Sequence, residues 1–290
     1  MKFKKYQGIG NDFILIDCFE KINYENIHYF GSKSNVERIC NRNFGIGSDG
    51  IILISPAEND YDAEMTILNS DGTEAEMCGN GMRCLIMFLY EKFNKSIKTK
   101  KDYKIKTLAG DITGSYLPDV DEVRVNIGQP IFTPINIPTS LDVKNNIIPE
   151  GNITIDNINF KIYAVGMGNP HLVTFVEDIE EVKLHTWGPL LENNKYFPSK
   201  TNVHFVQVIN DKEVVVKVWE RGCGETLACG TGACAVVVTS NILGFCNGKT
   251  KVNLKGGYLY IDWNNTTKNI YMTGKAKYVY EGKINIDKFI

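Results

Sequence analysis

No stretch of this 290-residue chain reaches the run of roughly 18 apolar residues that a membrane-spanning helix needs. The eight cysteines include no Cys-x-x-Cys pair, and no histidine stands at zinc-finger spacing from them. A structural zinc site is therefore not expected. An excess of charge of one sign is also missing, since 32 Lys+Arg face 34 Asp+Glu for a formal charge of -2. Such a chain carries no global field for nucleic acid or an anionic membrane, and neither is expected as a partner. Arginine is scarce, limited to Arg38, Arg42, Arg83, Arg124 and Arg221, so an arginine inside a motif is informative. The basic start Met1-Lys2-Phe3-Lys4-Lys5-Tyr6 is not followed by an apolar h-region, which does not fit a secretion signal. A cytoplasmic location is expected, where cysteines stay reduced and mostly fill cores.

What the chain has is an ordinary globular balance, 43% hydrophobic and 23% charged. Short β-rich runs bounded by turn residues recur: Phe13 to Ile16, Ile51 to Ile54, Val123 to Ile127, Val203 to Val208, Glu213 to Val218 and Tyr258 to Ile261. Two segments read as helices apolar on most faces, Gly79 to about Phe93 and Gly230 to about Leu243, and such helices belong inside a core. A weaker helix is expected over about 35–43.

The chain also repeats itself. Cys78-Gly79-Asn80-Gly81 opens one apolar helix and Cys229-Gly230-Thr231-Gly232 opens the other. Asn69 and Glu220 stand equally far before the two cysteines. Gly8-Ile9-Gly10-Asn11-Asp12-Phe13 is matched by Gly166-Met167-Gly168-Asn169-Pro170-His171. Three landmarks in one order argue for two homologous halves. The boundary is expected in the stretch 128–138. The expected domains are 1–128, completed by about 278–290, carrying Cys78, and 129–277, carrying Cys229.

A Cys-Gly-x-Gly run at a helix start combines tight turning, exposed amide N–H groups and the positive end of the helix dipole. A carboxylate fits there. A cysteine at that place is expected to have its thiolate favoured. One such cysteine reads most simply as core filler beside a turn. Two at equivalent places suggest paired chemistry, in which one sulfur removes a proton from a carbon and the other delivers one to the opposite face. That inverts a stereocentre without cofactor or metal, and the two thiols titrate as a coupled pair.

The run from Asn69 to Cys84 (NSDGTEAEMCGNGMRC) resembles the first cysteine motif of the diaminopimelate epimerase family, and Glu220 to Ala233 (ERGCGETLACGTGA) resembles the second. The two Gly-x-Gly-Asn turns match as well, and the resemblance spans about residues 3–282. It implies an α/β (α+β) fold of two pseudosymmetric domains, each a mixed, largely antiparallel barrel-like sheet around a central helix, with the active site in the interdomain cleft. It implies interconversion of LL- and meso-2,6-diaminopimelate on the bacterial route to lysine and peptidoglycan, without a cofactor, by a homodimer. By motif match Cys78 and Cys229 are the acid/base pair. Asn11, Asn69, Asn169, Asn202 and Arg221 match substrate-binding positions. Gly79, Asn80, Gly230 and Thr231 match the residues whose amides hold a carboxylate. His171 and Glu220 match the residues that tune the thiols, and Glu220 also counts among the substrate contacts.

Two positions depart from the family pattern. Gly50 stands where many members have Gln, and Lys275 stands where Met-Thr-Gly-Pro-Ala has its proline. The related proline and hydroxyproline racemases tend to carry His where this chain has Asn80, and a further branch with a carboxylate base lacks the first cysteine. A thiol redox sensor or metal-binding protein is the reading from another class. His28, His185 and His204 have no motif support and read as ordinary structural histidines, and Arg83 as a structural arginine neutralising a carboxylate. Gly45 to Gly50 spells GxGxxG, but a strand follows it where a dinucleotide site needs a helix, so nucleotide binding is not expected.

Overall fold

A computed structural model describes residues 1–93, 102–144 and 147–286. The chain divides into two compact units, Met1–Val125 with Gly274–Ile290, and Asn126–Thr273. Residues 287–290 of the expected C-terminal return lie outside the described residues.

The first unit contains β1 (Lys2–Gly8), β2 (Asn11–Asp17), α1 (Lys21–Glu25), α2 (Lys33–Cys40), β3 (Gly50–Ser55), β4 (Ala63–Asn69), β5 (Glu74–Ala75), α3 (Gly79–Phe93), β6 (Tyr103–Thr107), β7 (Gly110–Leu117), the start of β8 (Glu122–Gly128) and, from the far end of the chain, β18 (Lys277–Lys283). Its strand order is β18-β1-β2-β3-β4-β6-β7-β8. The β2–β3 and β4–β6 pairs are parallel and the others antiparallel. The continuous apolar run of β3 is explained by burial on both faces. Ile51 and Leu53 pack with Ile14, Ile16, Val36 and Ile39 on the outer side. On the inner side Ile52 lies against Gly81 of α3. The sheet wraps around α3, which touches β18, β1, β2, β3 and β7.

The second unit contains β9 (Glu150–Ile155), β10 (Ile158–Gly166), β11 (Pro170–Phe175), α4 (Leu184–Glu192), β12 (Asn202–Asn210), β13 (Glu213–Glu220), β14 (Gly224–Glu225), α5 (Gly230–Ile242), β15 (Thr250–Leu254), β16 (Gly257–Trp263) and β17 (Ile270–Gly274). Its order is β9-β10-β11-β12-β13-β15-β16-β17, with β11–β12 and β13–β15 parallel and the rest antiparallel. That is the succession of the first unit, strand for strand. The helix α4 makes the crossover between the parallel pair and packs Leu184, Trp187 and Leu191 onto the outer core. The apolar helix α5 lies inside the sheet, against β10, β11, β12, β15 and β16.

The expected mixed sheet around a buried helix is thus present in both units, and all six β-rich runs are strands. The weaker helix begins and ends earlier than expected, at Lys33 and Cys40, because Asn41 is extended and the chain then turns. The sequence pattern did not bring out β1, β4, β6, β7, β9, β10, β11, β15, β17 or β18; in β1, β6 and β18 several lysines dilute the alternation. Residues 45–49 form a loop that leads into β3, with no helix after the glycines.

Candidate functional site

Strand register lines up the repeat residues. In the first unit Phe13, Gly50 and Asn69 face one another across β2, β3 and β4. In the second, His171 pairs with Asn202 across β11 and β12, and Glu220 stands one step beyond the Val203–Trp219 pair. Each row ends at the strand whose following turn leads to a cysteine. Gly50, the departure from the family pattern, is therefore the repeat equivalent of Asn202. A Cβ there would lie 2.6 Å from the Leu68 carbonyl oxygen, so a side chain at this position requires the local β3–β4 backbone to shift.

Each cysteine sits at a helix start. The first intrahelical bonds run from Met82 N–H to the Cys78 carbonyl at 2.8 Å and from Ala233 N–H to the Cys229 carbonyl at 3.0 Å. The amides of Gly79, Asn80 and Gly81, and of Gly230, Thr231 and Gly232, then have no acceptor within their helices and can receive an anion.

In the first unit, Cys78 is partly exposed with its Sγ 3.8 Å from Asn11 Oδ1. Asn80 Nδ2 donates to the same oxygen at 3.2 Å. Asn11 is fixed by donating from Nδ2 to Asp49 at 2.7 Å. Asp49 in turn accepts from Arg42, which also grips Asp12, and Lys5 pairs with Asp12 at 2.6 Å. The guanidinium and ammonium groups hold the Asp12 carboxyl down to about 2 against the cost of its burial. Sequence reading did not single out this ionic brace. Its residues are separated by up to 44 positions, and only the β1–β2 hairpin and the loop before β3 bring them together. Asn69 is exposed and donates to Thr73 Oγ1 at 3.0 Å. Arg83 is fully buried and bonds the carbonyls of Gly79 and Lys275 at 3.5 and 3.4 Å. It braces the helix start and the turn that carries the Lys275 departure.

In the second unit, Cys229 is buried with its Sγ 3.7 Å from Thr231 Oγ1. Its thiol is pushed well above the usual range, first by burial and then by the nearby Glu220 carboxylate. The Gly232 amide and Thr231 hydroxyl act the other way. The expectation that a helix start would favour the thiolate is corrected for this cysteine: desolvation and a like charge outweigh the dipole. Burial also raises the Glu220 carboxyl, which accepts from Thr226 Oγ1 at 2.5 Å.

Asn202 is buried, donating to the Pro170 carbonyl at 2.9 Å and accepting from the Arg221 amide at 3.0 Å. Its side chain therefore staples β11 to the turn after β13 and holds Arg221. The Arg221 side chain is exposed and reaches the Ser199 carbonyl at 3.3 Å. His171 is fully buried, with Nε2 2.8 Å from Asn169 Oδ1 and Nδ1 2.9 Å from His204 Nε2. Both imidazoles are held neutral. His171 is lowered by burial, then by His204 and Arg221, and His204 is lowered to about 3 by burial. His204 was read as an ordinary structural histidine, and the structure pairs it with the candidate residue His171. The available signal was its position two residues after Asn202 on one strand, which puts both on the same face. Among the described residues, ligand atoms of His171, His204 and Cys229 lie within 4.8 Å of one another. His171 already uses both ring nitrogens in hydrogen bonds, to His204 and to Asn169.

A family model described as diaminopimelate epimerase matches residues 3–133 and 163–279. The chain is 46% identical over 284 residues to the diaminopimelate epimerase of Prochlorococcus marinus, covering 98% of this chain and 99% of the relative. It is 44% identical over 291 residues to that of Methanococcus maripaludis, covering 99% and 100%. Among solved structures it superposes on a probable proline racemase from Agrobacterium radiobacter with a TM-score of 0.65 at 15% identity, covering 99% of this chain and 94% of that one. A phenazine biosynthesis protein of the PhzF family from Bacillus anthracis gives 0.63 at 16% identity, covering 98% and 99%. At those identities the structural likeness establishes a shared fold.

Proposed function

Because the chain belongs to the diaminopimelate epimerase family, we propose that it interconverts LL- and meso-2,6-diaminopimelate by cofactor-independent proton exchange between Cys78 and Cys229. The observation that carries the mechanism is the equivalence of these two cysteines, each at the start of the buried helix of its own unit. The mechanism requires the α-carbon to have one sulfur on each face. The Cys78 thiolate takes the α-proton, and the electron pair left on carbon spreads into the α-carboxylate. The Cys229 thiol, kept protonated by burial and Glu220, then gives its proton to the opposite face. Cys78 ends as thiol and Cys229 as thiolate, and the reverse reaction exchanges the roles.

The helix-start amides at Gly79, Asn80, Gly230 and Thr231 suit the α-carboxylate, whose negative charge grows in the transition state. Arg221, exposed and held by its backbone to Asn202, suits the distal carboxylate. Asn11, Asn69 and Asn169 supply amides for the remaining polar groups. Asn202 acts through Arg221, and Glu220 and His171 set the surroundings of Cys229. A cytoplasmic homodimer belongs to the same reading, and sedimentation velocity decides the assembly.

The test is epimerisation of LL-diaminopimelate beside L-proline and trans-4-hydroxy-L-proline. A substrate without the distal group leaves Arg221 and the asparagines unmatched, so a loss of roughly four orders of magnitude is expected. Equal turnover of proline would overturn the substrate assignment. In deuterated water, two bases label the product at the inverted carbon while remaining substrate stays protonated. Early label in both pools would overturn the two-base route.

A further inference from the structure

We propose that His204 is a positioning residue: it donates to His171 and so fixes which face of the Asn169 amide is left for substrate. The direction of this chain follows from its buried end. His204 Nδ1 is fully buried and has no hydrogen-bond partner. A bare nitrogen lone pair is tolerated there better than an N–H with nothing to accept it. The single proton of the neutral ring therefore sits on Nε2, which donates to His171 Nδ1 at 2.9 Å. With Nδ1 occupied as an acceptor, the His171 proton sits on Nε2 and is donated to Asn169 Oδ1 at 2.8 Å. The Asn169 carbonyl is thereby committed. Its NH2 group is the part left to contact a ligand, and a donor matches a carboxylate.

The repeat supplies an internal control. His171 corresponds to Phe13, and His204 corresponds to Ile52, by their places in the matching strands. Each inner residue lies in a glycine notch at a helix start. A Cβ on Gly81 would meet Ile52 Cδ1 at 3.0 Å, and one on Gly232 would meet His204 Cε1 at 2.1 Å. The first unit fills this socket with hydrocarbon, so packing alone does not demand an imidazole. In the second unit two successive layers are histidine, and they lead to a repeat-equivalent asparagine.

This deepens the proposed function and rests on Asn169 as a substrate contact. The experiment compares His204→Gln, which retains a donor, with His204→Ile, which copies the shape used in the other unit. The expected result is a KM for diaminopimelate within about threefold of wild type for the glutamine variant. The isoleucine variant should raise KM roughly tenfold or more with a smaller change in kcat; losing the donor to His171 lowers its urea midpoint, but it should remain folded under assay conditions. A space-filling role predicts the reverse order, and an isoleucine variant with unchanged KM overturns the proposal. Independently of any substrate, 15N-histidine NMR of the wild-type protein should show His171 protonated at Nε2. A coupling across the hydrogen bond should join its Nδ1 to His204 Nε2. A His171 proton on Nδ1 overturns the proposal even if the enzyme is fully active. If wild-type protein fails to turn over diaminopimelate, the substrate reading falls while the tautomer result still stands or fails by itself.

Discussion

At the scale of single residues, the two cysteines differ more than their motifs suggest. Cys78 is partly exposed beside Asn11, whereas Cys229 is buried against Glu220. Replacing either by alanine should lower epimerisation in both directions by at least about a thousandfold, because the proposed mechanism uses each once per turnover. Far-UV circular dichroism and the unfolding midpoint should change little for Cys78→Ala. Activity surviving either change rules the pair out. The histidines make a separate prediction for stability. His204 is neutral in the folded protein down to about pH 3 and His171 is lowered as well. In the unfolded chain both take a proton near 6.5. Below that pH the unfolded state binds more protons, so stability should fall as pH drops, by up to about 1.4 kcal/mol per pH unit for each ring. Urea titrations between pH 7.5 and 5 should show this slope, and His204→Gln should reduce it by about half. A slope unaffected by the substitution would mean that His204 is charged in the folded state.

At the scale of elements, the strand-to-helix approach at the start of α5 is tighter than its counterpart at α3. The Gly81 notch faces flexible side-chain ends, with Ile52, Ile67 and Met65 at 3.0 to 3.3 Å from a hypothetical Cβ. The Gly232 notch faces the rigid His204 ring at 2.1 Å. Gly232→Ala should therefore cost about 3 kcal/mol and Gly81→Ala about 1, since overpacking is worst where neighbours cannot give way. The Gly232 change should also impair catalysis more than the Gly81 change, because it pushes the turn carrying Cys229 and Thr231. Equal costs in urea unfolding would show that the α5 start yields more readily than the ring contact implies.

At the scale of the whole molecule, the duplicated topology and the two-thiol mechanism make a joint prediction about oxidation. The proposed mechanism requires one carbon between the two sulfurs, and it therefore predicts that they can meet when substrate is absent. The sequence-local alternatives are poor: Cys78 and Cys84 are separated by about 9 Å of helix rise, and Cys229 and Cys234 by about 7.5 Å. Both exceed the roughly 7 Å limit between disulfide-bonded Cα atoms. Mild oxidation should therefore inactivate the enzyme through a Cys78–Cys229 bridge that reductant reverses and bound substrate prevents. Peptide mapping of the inactive protein checks this. A disulfide elsewhere, or sulfinic acid on one cysteine alone, would show that the two thiols do not meet.

The sequence by itself determined the two buried helices, six of the strands and the repeat. It did so because continuous apolar runs and Cys-Gly-x-Gly starts are local signals that need no partner to be read. The cysteine motifs likewise marked the family before any geometry was known. Other features were decided only by tertiary structure. Burial beside Glu220 reversed the expected effect of the helix start on Cys229, because desolvation depends on everything packed around the sulfur. The brace of Lys5, Asp12, Arg42 and Asp49 exists only through hairpin and loop closure. His204 gained its place beside His171 from a parallel strand pair bridged by α4, and a pairing of that kind leaves no periodic trace in the chain.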